Sequence, residues 1–174
     1  MIVAVDGPTA SGKGTVAKQL ARHYALPFLD TGLLYRAVGR QVAINKGDAD
    51  NAADALAACD FPNSLLDDPK LRDEATGSLA SRVSIHSEVR AALNKHQVDF
   101  ANQQGGAVLD GRDIGTVIAP DADVKLFITA SPDVRAKRRY EEMATAGGIK
   151  TYEEMLADII ARDERDTITI RGTT

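Results

Sequence analysis

Nine consecutive residues, Gly7-Pro8-Thr9-Ala10-Ser11-Gly12-Lys13-Gly14-Thr15, carry the G-x-x-x-x-G-K core of a phosphate-binding loop. Glycines let the backbone curl until successive N–H groups point inward. The N-terminus of a following helix adds positive potential, and Lys13 supplies a mobile charge for the β- and γ-phosphates of a nucleoside triphosphate. The plainer reading is a glycine-rich turn with a solvated lysine, against which the strand before the loop and the helix after it both argue. Serine or threonine usually follows the lysine directly, whereas here Gly14 intervenes and Thr15 brings the hydroxyl. Arg36 and Arg112 each come after a short apolar run, where a cleft opens. A planar guanidinium there can grip phosphate oxygens bidentately without losing its proton. Taken singly, Arg36 also reads as a surface arginine beside a carboxylate. Arg162 and Asp166 are four residues apart on a predicted helix and could form an ordinary ion pair. His23, His86 and His96 lie in unrelated contexts and make no recognisable metal set.

These groups need a frame. Ile2-Val3-Ala4-Val5 is a continuous apolar run ended by Asp6-Gly7-Pro8, the pattern of a buried parallel strand feeding a loop. From Lys13 to Tyr24, the apolar Val16, Ala17, Leu20, Ala21 and Tyr24 share one helical face. Phe28-Leu29, the turn Asp30-Thr31-Gly32, and a helical pattern from Leu33 to Asn45 repeat the unit. Residues 47–77, rich in alanine and aspartate and interrupted by Pro62 and Pro69, predict small helices and loops. A helix from about Ser87 to Gln103 leads into a third strand, Ala107-Val108-Leu109, which ends in Asp110-Gly111-Arg112-Asp113. Val124 to Ile128 reads as a fourth strand. Ser131 reads as the N-cap of the next helix, with Pro132 at its first position. Two charged helices follow, broken at Gly147-Gly148. The alternation predicts an α/β domain: a parallel sheet flanked by helices on both faces, with ligands beyond the carboxyl ends of its strands.

Composition narrows the partners. At 174 residues, 44% hydrophobic and 26% charged, the chain fits one domain with a core that needs no staple. A net charge of −4 argues against the broad basic face that a nucleic-acid polymer requires. Cys59 is the one cysteine, and no secretory signal or membrane-length apolar run is evident, which reads as a cytoplasmic chain with no membrane partner.

Three further stretches appear in order: Asp30-Thr31-Gly32 with Tyr35-Arg36, then Asp110-Gly111-Arg112-Asp113-Ile114-Gly115-Thr116, then Arg162-Asp163-Glu164-Arg165-Asp166. With them and the G-K-G-T loop, the chain resembles the bacterial cytidylate kinases from its first strand to about Asp166. The resemblance implies a P-loop kinase fold in a single domain spanning 1–174. Its core would be 1–46 and 105–174, its nucleoside-monophosphate-binding insert about 47–104, and its basic lid about 135–165. It implies transfer of the γ-phosphoryl group of ATP to CMP or dCMP, with Mg²⁺, by a monomer. Phosphoryl transfer asks for positioning and charge neutralisation, which convergent cations supply. By the same resemblance, Gly7 to Thr15 hold ATP, and Thr15 also meets the metal. Lys13, Arg36, Arg112 and Arg162 serve the phosphates. Asp113 accepts from the cytosine amine, with Arg90, Ser81, Thr31 and Tyr35 also on the acceptor nucleotide. Arg162 and Asp166 meet the sugar. A lid carrying Arg135, Lys137, Arg138 and Arg139 would exclude water.

Two departures stand out. The family commonly has a longer insert with a small antiparallel sheet before Ser81, so a reduced insert is expected here. After Asp166 it usually has another phosphate-binding arginine, at the place of Thr169, then a strand and a helix. Here Arg171 substitutes, the chain is shortened, or Thr167 to Ile170 forms an edge strand. The alternatives in function are a P-loop kinase for another small acceptor, and an ATP-binding module with little catalysis.

Overall fold

A computed structural model describes residues 1–145 and 150–171, with residue 145 and residues 168–171 described by their backbone alone. Four strands, β1 (Ile2–Asp6), β2 (Phe28–Asp30), β3 (Ala107–Gly111) and β4 (Val124–Phe127), form one parallel sheet in the order β2-β3-β1-β4. Their unbroken apolar runs follow from burial on both faces. Val3, Val5 and Val108 pack with Ala17 and Ala21 on one side, and Ala4 and Leu109 with Ala101 and Ile114 on the other. β4 is the exception, an edge strand whose Phe127 is 69% exposed.

The helices are α1 (Lys13–His23), α2 (Thr31–Ile44), α3 (Ala52–Ala57), α4 (Glu74–Val83), α5 (Ser87–Ala101), α6 (Pro132–Thr145) and α7 (Tyr152–Arg171). Small residues at Ala17 and Ala21 let α1 lie close on the sheet, but Tyr24 falls beyond its last turn and is half exposed, contrary to the face assigned from spacing. Ser131 Oγ accepts from Val134 N at 3.4 Å, the cap expected of it. Between α2 and α5, residues 47–77 give α3 and two short 3-10 turns, and the described residues 47–104 hold no strand. That insert has a core of its own, with Ala49, Ala55, Ala58, Val83, Val89 and Leu93 packed on Leu34, Val38 and Val42 of α2.

The C-terminal expectation needs correcting. Thr167 to Ile170 is not an edge strand: α7 continues through it to Arg171. Thr167 Oγ1 donates to Asp163 O at 2.8 Å, a back-bond that suits a helical threonine. The expected helix break at Gly147-Gly148, the side chains of Thr169 and Arg171, and residues 172–174 lie outside the described residues.

Candidate active site

The carboxyl ends of β1, β2 and β3 open into a cleft of about 740 Å³. Every residue assigned to the donor and acceptor nucleotides lines it except Gly7, Pro8 and Ser81, and of the lid cations Arg138 does while Arg135, Lys137 and Arg139 do not. One wall is the loop from β1 to α1. Its alternate carbonyls are held by guanidinium groups: Arg112 Nη1 donates to Gly7 O at 2.5 Å, Arg135 Nη1 to Thr9 O at 3.3 Å, and Arg138 Nη1 to Ser11 O at 3.2 Å. Ala10 takes a φ of 57°, a strained value that the surrounding contacts maintain. The intervening Gly14 now has a reason. A Cβ there would stand 2.9 Å from Asp110 Oδ2, so glycine lets the loop approach the end of β3 without displacing that carboxylate.

Asp110 is buried, with Oδ1 at 3.9 Å from Lys13 Nζ. Burial pushes its carboxyl up to about 6, against the pull of Lys13. Burial, reinforced by Arg112, pushes Lys13 down to about 8, against Asp110 and Asp30. Arg162 is likewise driven down to about 10 by burial and then by Arg112, and its Nε has no hydrogen-bond partner. Burial and the nearby Arg139 lower Arg36. Lys13, Arg36, Arg112, Arg139 and Arg162 therefore sense one another in a half-closed space, with Asp30, Asp110 and Asp166 as the nearby acids. Such an excess of buried positive charge is costly when empty and favours a multiply charged anion.

The opposite wall is assembled from distant segments. Arg36 Nη1 donates to Leu71 O at 2.6 Å and Asp73 O at 3.1 Å, and Arg90 Nη1 to Ser84 O at 2.9 Å and Ile85 O at 2.7 Å. Thr31 Oγ1 donates to Asp110 O at 2.7 Å. Burial, and Asp113 nearby, push Tyr35 up to about 12, while burial and then Asp6 raise Asp113. Asp166 is not held by Arg162, the ion pair considered from spacing. It accepts from Arg112 Nε at 2.7 Å instead. Ser81 lies apart from Asp113 and Arg90, in a neighbouring cavity, and its Oγ accepts from Arg165 Nε at 3.0 Å.

Several residues escaped the sequence reading. Asp6 accepts from Ile114 N at 2.9 Å and Gly115 N at 2.8 Å, and so fixes the turn that presents Asp113. Arg135, read as a lid cation, is buried and forks onto Asp163 at 3.0 and 2.5 Å, tying α6 and the loop to α7. The amide of Gln97 lies buried beside Tyr35 in the cleft. Asp110 carried a signal, an acid ending an apolar strand. Among the described residues, no group of three His, Cys, Asp or Glu side chains forms a metal cage. Thr15, Asp30 and Asp110 line the cleft with Lys13, and hard-oxygen side chains of this kind suit Mg²⁺, which takes one or two protein ligands and completes its shell with phosphates and water. No described helix is long and apolar enough to cross a membrane.

Comparison with known proteins gives consistent results. The family model described as cytidylate kinase matches residues 3–170. A protein named cytidylate kinase from Caulobacter sp. (strain K31) is 54% identical over 166 residues, covering 95% of this chain and 77% of its own length. One of the same name from Xanthobacter autotrophicus is 55% identical over 167 residues, covering 96% and 80%. Another, from Methylobacterium sp. (strain 4-46), is 55% identical over 167 residues, covering 95% and 80%.

Proposed function

This chain belongs to the cytidylate kinase family, and from that membership we propose how its own residues divide the work of the reaction. The protein transfers the γ-phosphoryl group of ATP to CMP or dCMP, giving ADP and CDP or dCDP. Its relatives do not favour an ATP-binding module without catalysis or a kinase for another acceptor. The loop from Gly7 to Thr15 holds the triphosphate, with Lys13 on the β- and γ-phosphates. Arg36 and Arg112 grip the acceptor phosphate, and Arg162 lies between donor and acceptor. These fixed cations stabilise charge on the transferring group without reorganising during the step. Mg²⁺, held by Thr15 and Asp110, would neutralise the β- and γ-phosphate oxygens. Asp113 accepts from the cytosine amine, while Arg90 donates to the ring nitrogen and carbonyl, with Tyr35 and Thr31 completing the base end. Asp166 accepts from the sugar, oriented by Arg112.

The observation that carries this reading is the convergence of Lys13, Arg36, Arg112 and Arg162 on one cleft, with Arg162 Nε buried and unpartnered. The insert about 47–104 forms the acceptor lobe and residues about 135–165 the lid, on a core of 1–46 and 105–174. A monomer is the proposed oligomeric state. The cytoplasm, where ATP and CMP are found, is the proposed location. The test is a panel of nucleoside monophosphates incubated with ATP and Mg²⁺, with products separated by chromatography. CDP and dCDP are the expected main products, and their absence alongside product from another acceptor would overturn the assignment.

A further inference from the structure

Helix α4 organises much of the acceptor wall. Arg36 packs flat against it, since a Cβ at Gly77 would stand 2.9 Å from Arg36 Nη2. The carbonyls of Ser84 and Ile85, just after its last turn, anchor Arg90. Across from it, α7 brings Arg162 and Asp166 to the same cleft. Two polar contacts join these helices. Arg165 Nε donates to the buried Ser81 Oγ at 3.0 Å, and Lys150, which is also paired with Asp158 of α7 at 2.6 Å, reaches the carboxylate of Glu74. Arg165 and Ser81 both line the second cavity, of about 500 Å³, between α4 and α7, and Arg165 does not line the main cleft. The donor loop depends on neither contact, being held by Arg112, Arg135 and Arg138.

We propose that Arg165 is a positioning residue for the acceptor nucleotide. By holding Ser81 it fixes α4, and with α4 the Arg36 and Arg90 side chains, at the distance from α7 at which Arg162 and Asp166 complete the cleft. This rests on the acceptor site proposed above. A guanidinium-to-hydroxyl bond is charge-assisted and half-buried here, so its loss releases α4 without exposing the donor loop.

Steady-state kinetics of Arg165→Met test it, because methionine keeps the apolar stem and helix preference while removing the donor. The KM for CMP should rise about fivefold, with kcat and the KM for ATP changing less than about twofold. Arg165→Lys, which keeps a cation able to reach the hydroxyl, should recover part of the loss and keeps the test open if the methionine variant fails to fold. In a Ser81→Ala background, Arg165→Met should raise the KM for CMP by clearly less than it does in the unmodified protein. An unchanged KM for CMP, an equal rise in both KM values, or a full effect in the Ser81→Ala background would each overturn the proposal. Absence of CDP formation by the unmodified protein would instead defeat the kinase reading itself.

Discussion

The loop of residues 7–15 and the wall built from α2, α4 and α5 face each other across one cleft but are held in opposite ways. In the loop, arginines from the end of β3 and from α6 engage the carbonyls of Gly7, Thr9 and Ser11, contacts that use none of the N–H groups a phosphate would take. On the other wall, the recognition groups are themselves occupied. Arg36 and Arg90 are bonded to main-chain carbonyls, Ser81 to Arg165, and across the cleft Asp166 to Arg112. The donor side is therefore preorganised, whereas an acceptor nucleotide must share or displace existing partners, a cost that comes out of its binding free energy.

The largest expected effect separates the two sides in one series of variants. Lys13→Ala should lower kcat by roughly 10²- to 10³-fold, the scale of losing a preorganised charge at the reacting group. Its melting temperature should stay level or rise, because burial disfavours the Lys13 charge in the folded protein. Arg112→Ala should come next, at roughly 10²-fold in kcat/KM with a measurable loss of stability, since it leaves Asp166 and Gly7 O without their partner. Asp113→Asn should cost least with CMP, because it alters a base contact and leaves the phosphate clamps intact. A larger loss from Asp113→Asn than from Arg112→Ala would contradict the roles given to the phosphate clamp and the base reader.

A smaller effect sharpens the electrostatic side of the contrast. With Lys13 at about 8 in the free protein, close to half of these side chains are neutral at pH 8, and bound phosphates should restore their protons. ATP binding without metal should then take up a few tenths of a proton at pH 8 and almost none from Lys13 at pH 6.5, with affinity falling as pH rises through 8. Calorimetry in buffers of different ionisation enthalpy measures the uptake, and proton release at pH 8 would contradict the assignment.

The same contrast explains what was legible in the sequence. The loop is one contiguous run whose chemistry and flanking elements can be read together, and the strands are short apolar runs that a two-faced parallel sheet demands. Asp6 gave no such signal, because its partners Ile114 and Gly115 lie more than a hundred residues away. Arg135 looked like a lid charge because nothing in its own helix announces Asp163 as its fork partner. Ser81 was placed with the base readers on resemblance, yet α4 turns it toward Arg165. At the C-terminal end, Thr167-Ile168-Thr169-Ile170 alternates with the period of a strand, but it follows an established helix. Extending that helix fixes one residue per hydrogen bond and overrides the local preference.

The account's central claim is that this cleft phosphorylates cytidylate by reading its base through Asp113, and the ratio of kcat/KM for CMP to that for UMP tests it most directly. An ionised carboxylate accepts from the cytosine amine and faces an acceptor oxygen in uracil, leaving both unpaired. The account predicts a ratio of at least about tenfold in the unmodified protein, falling toward one in Asp113→Asn, whose amide can also donate. Equal use of CMP and UMP by the unmodified protein, or an undiminished preference in Asp113→Asn, would contradict it.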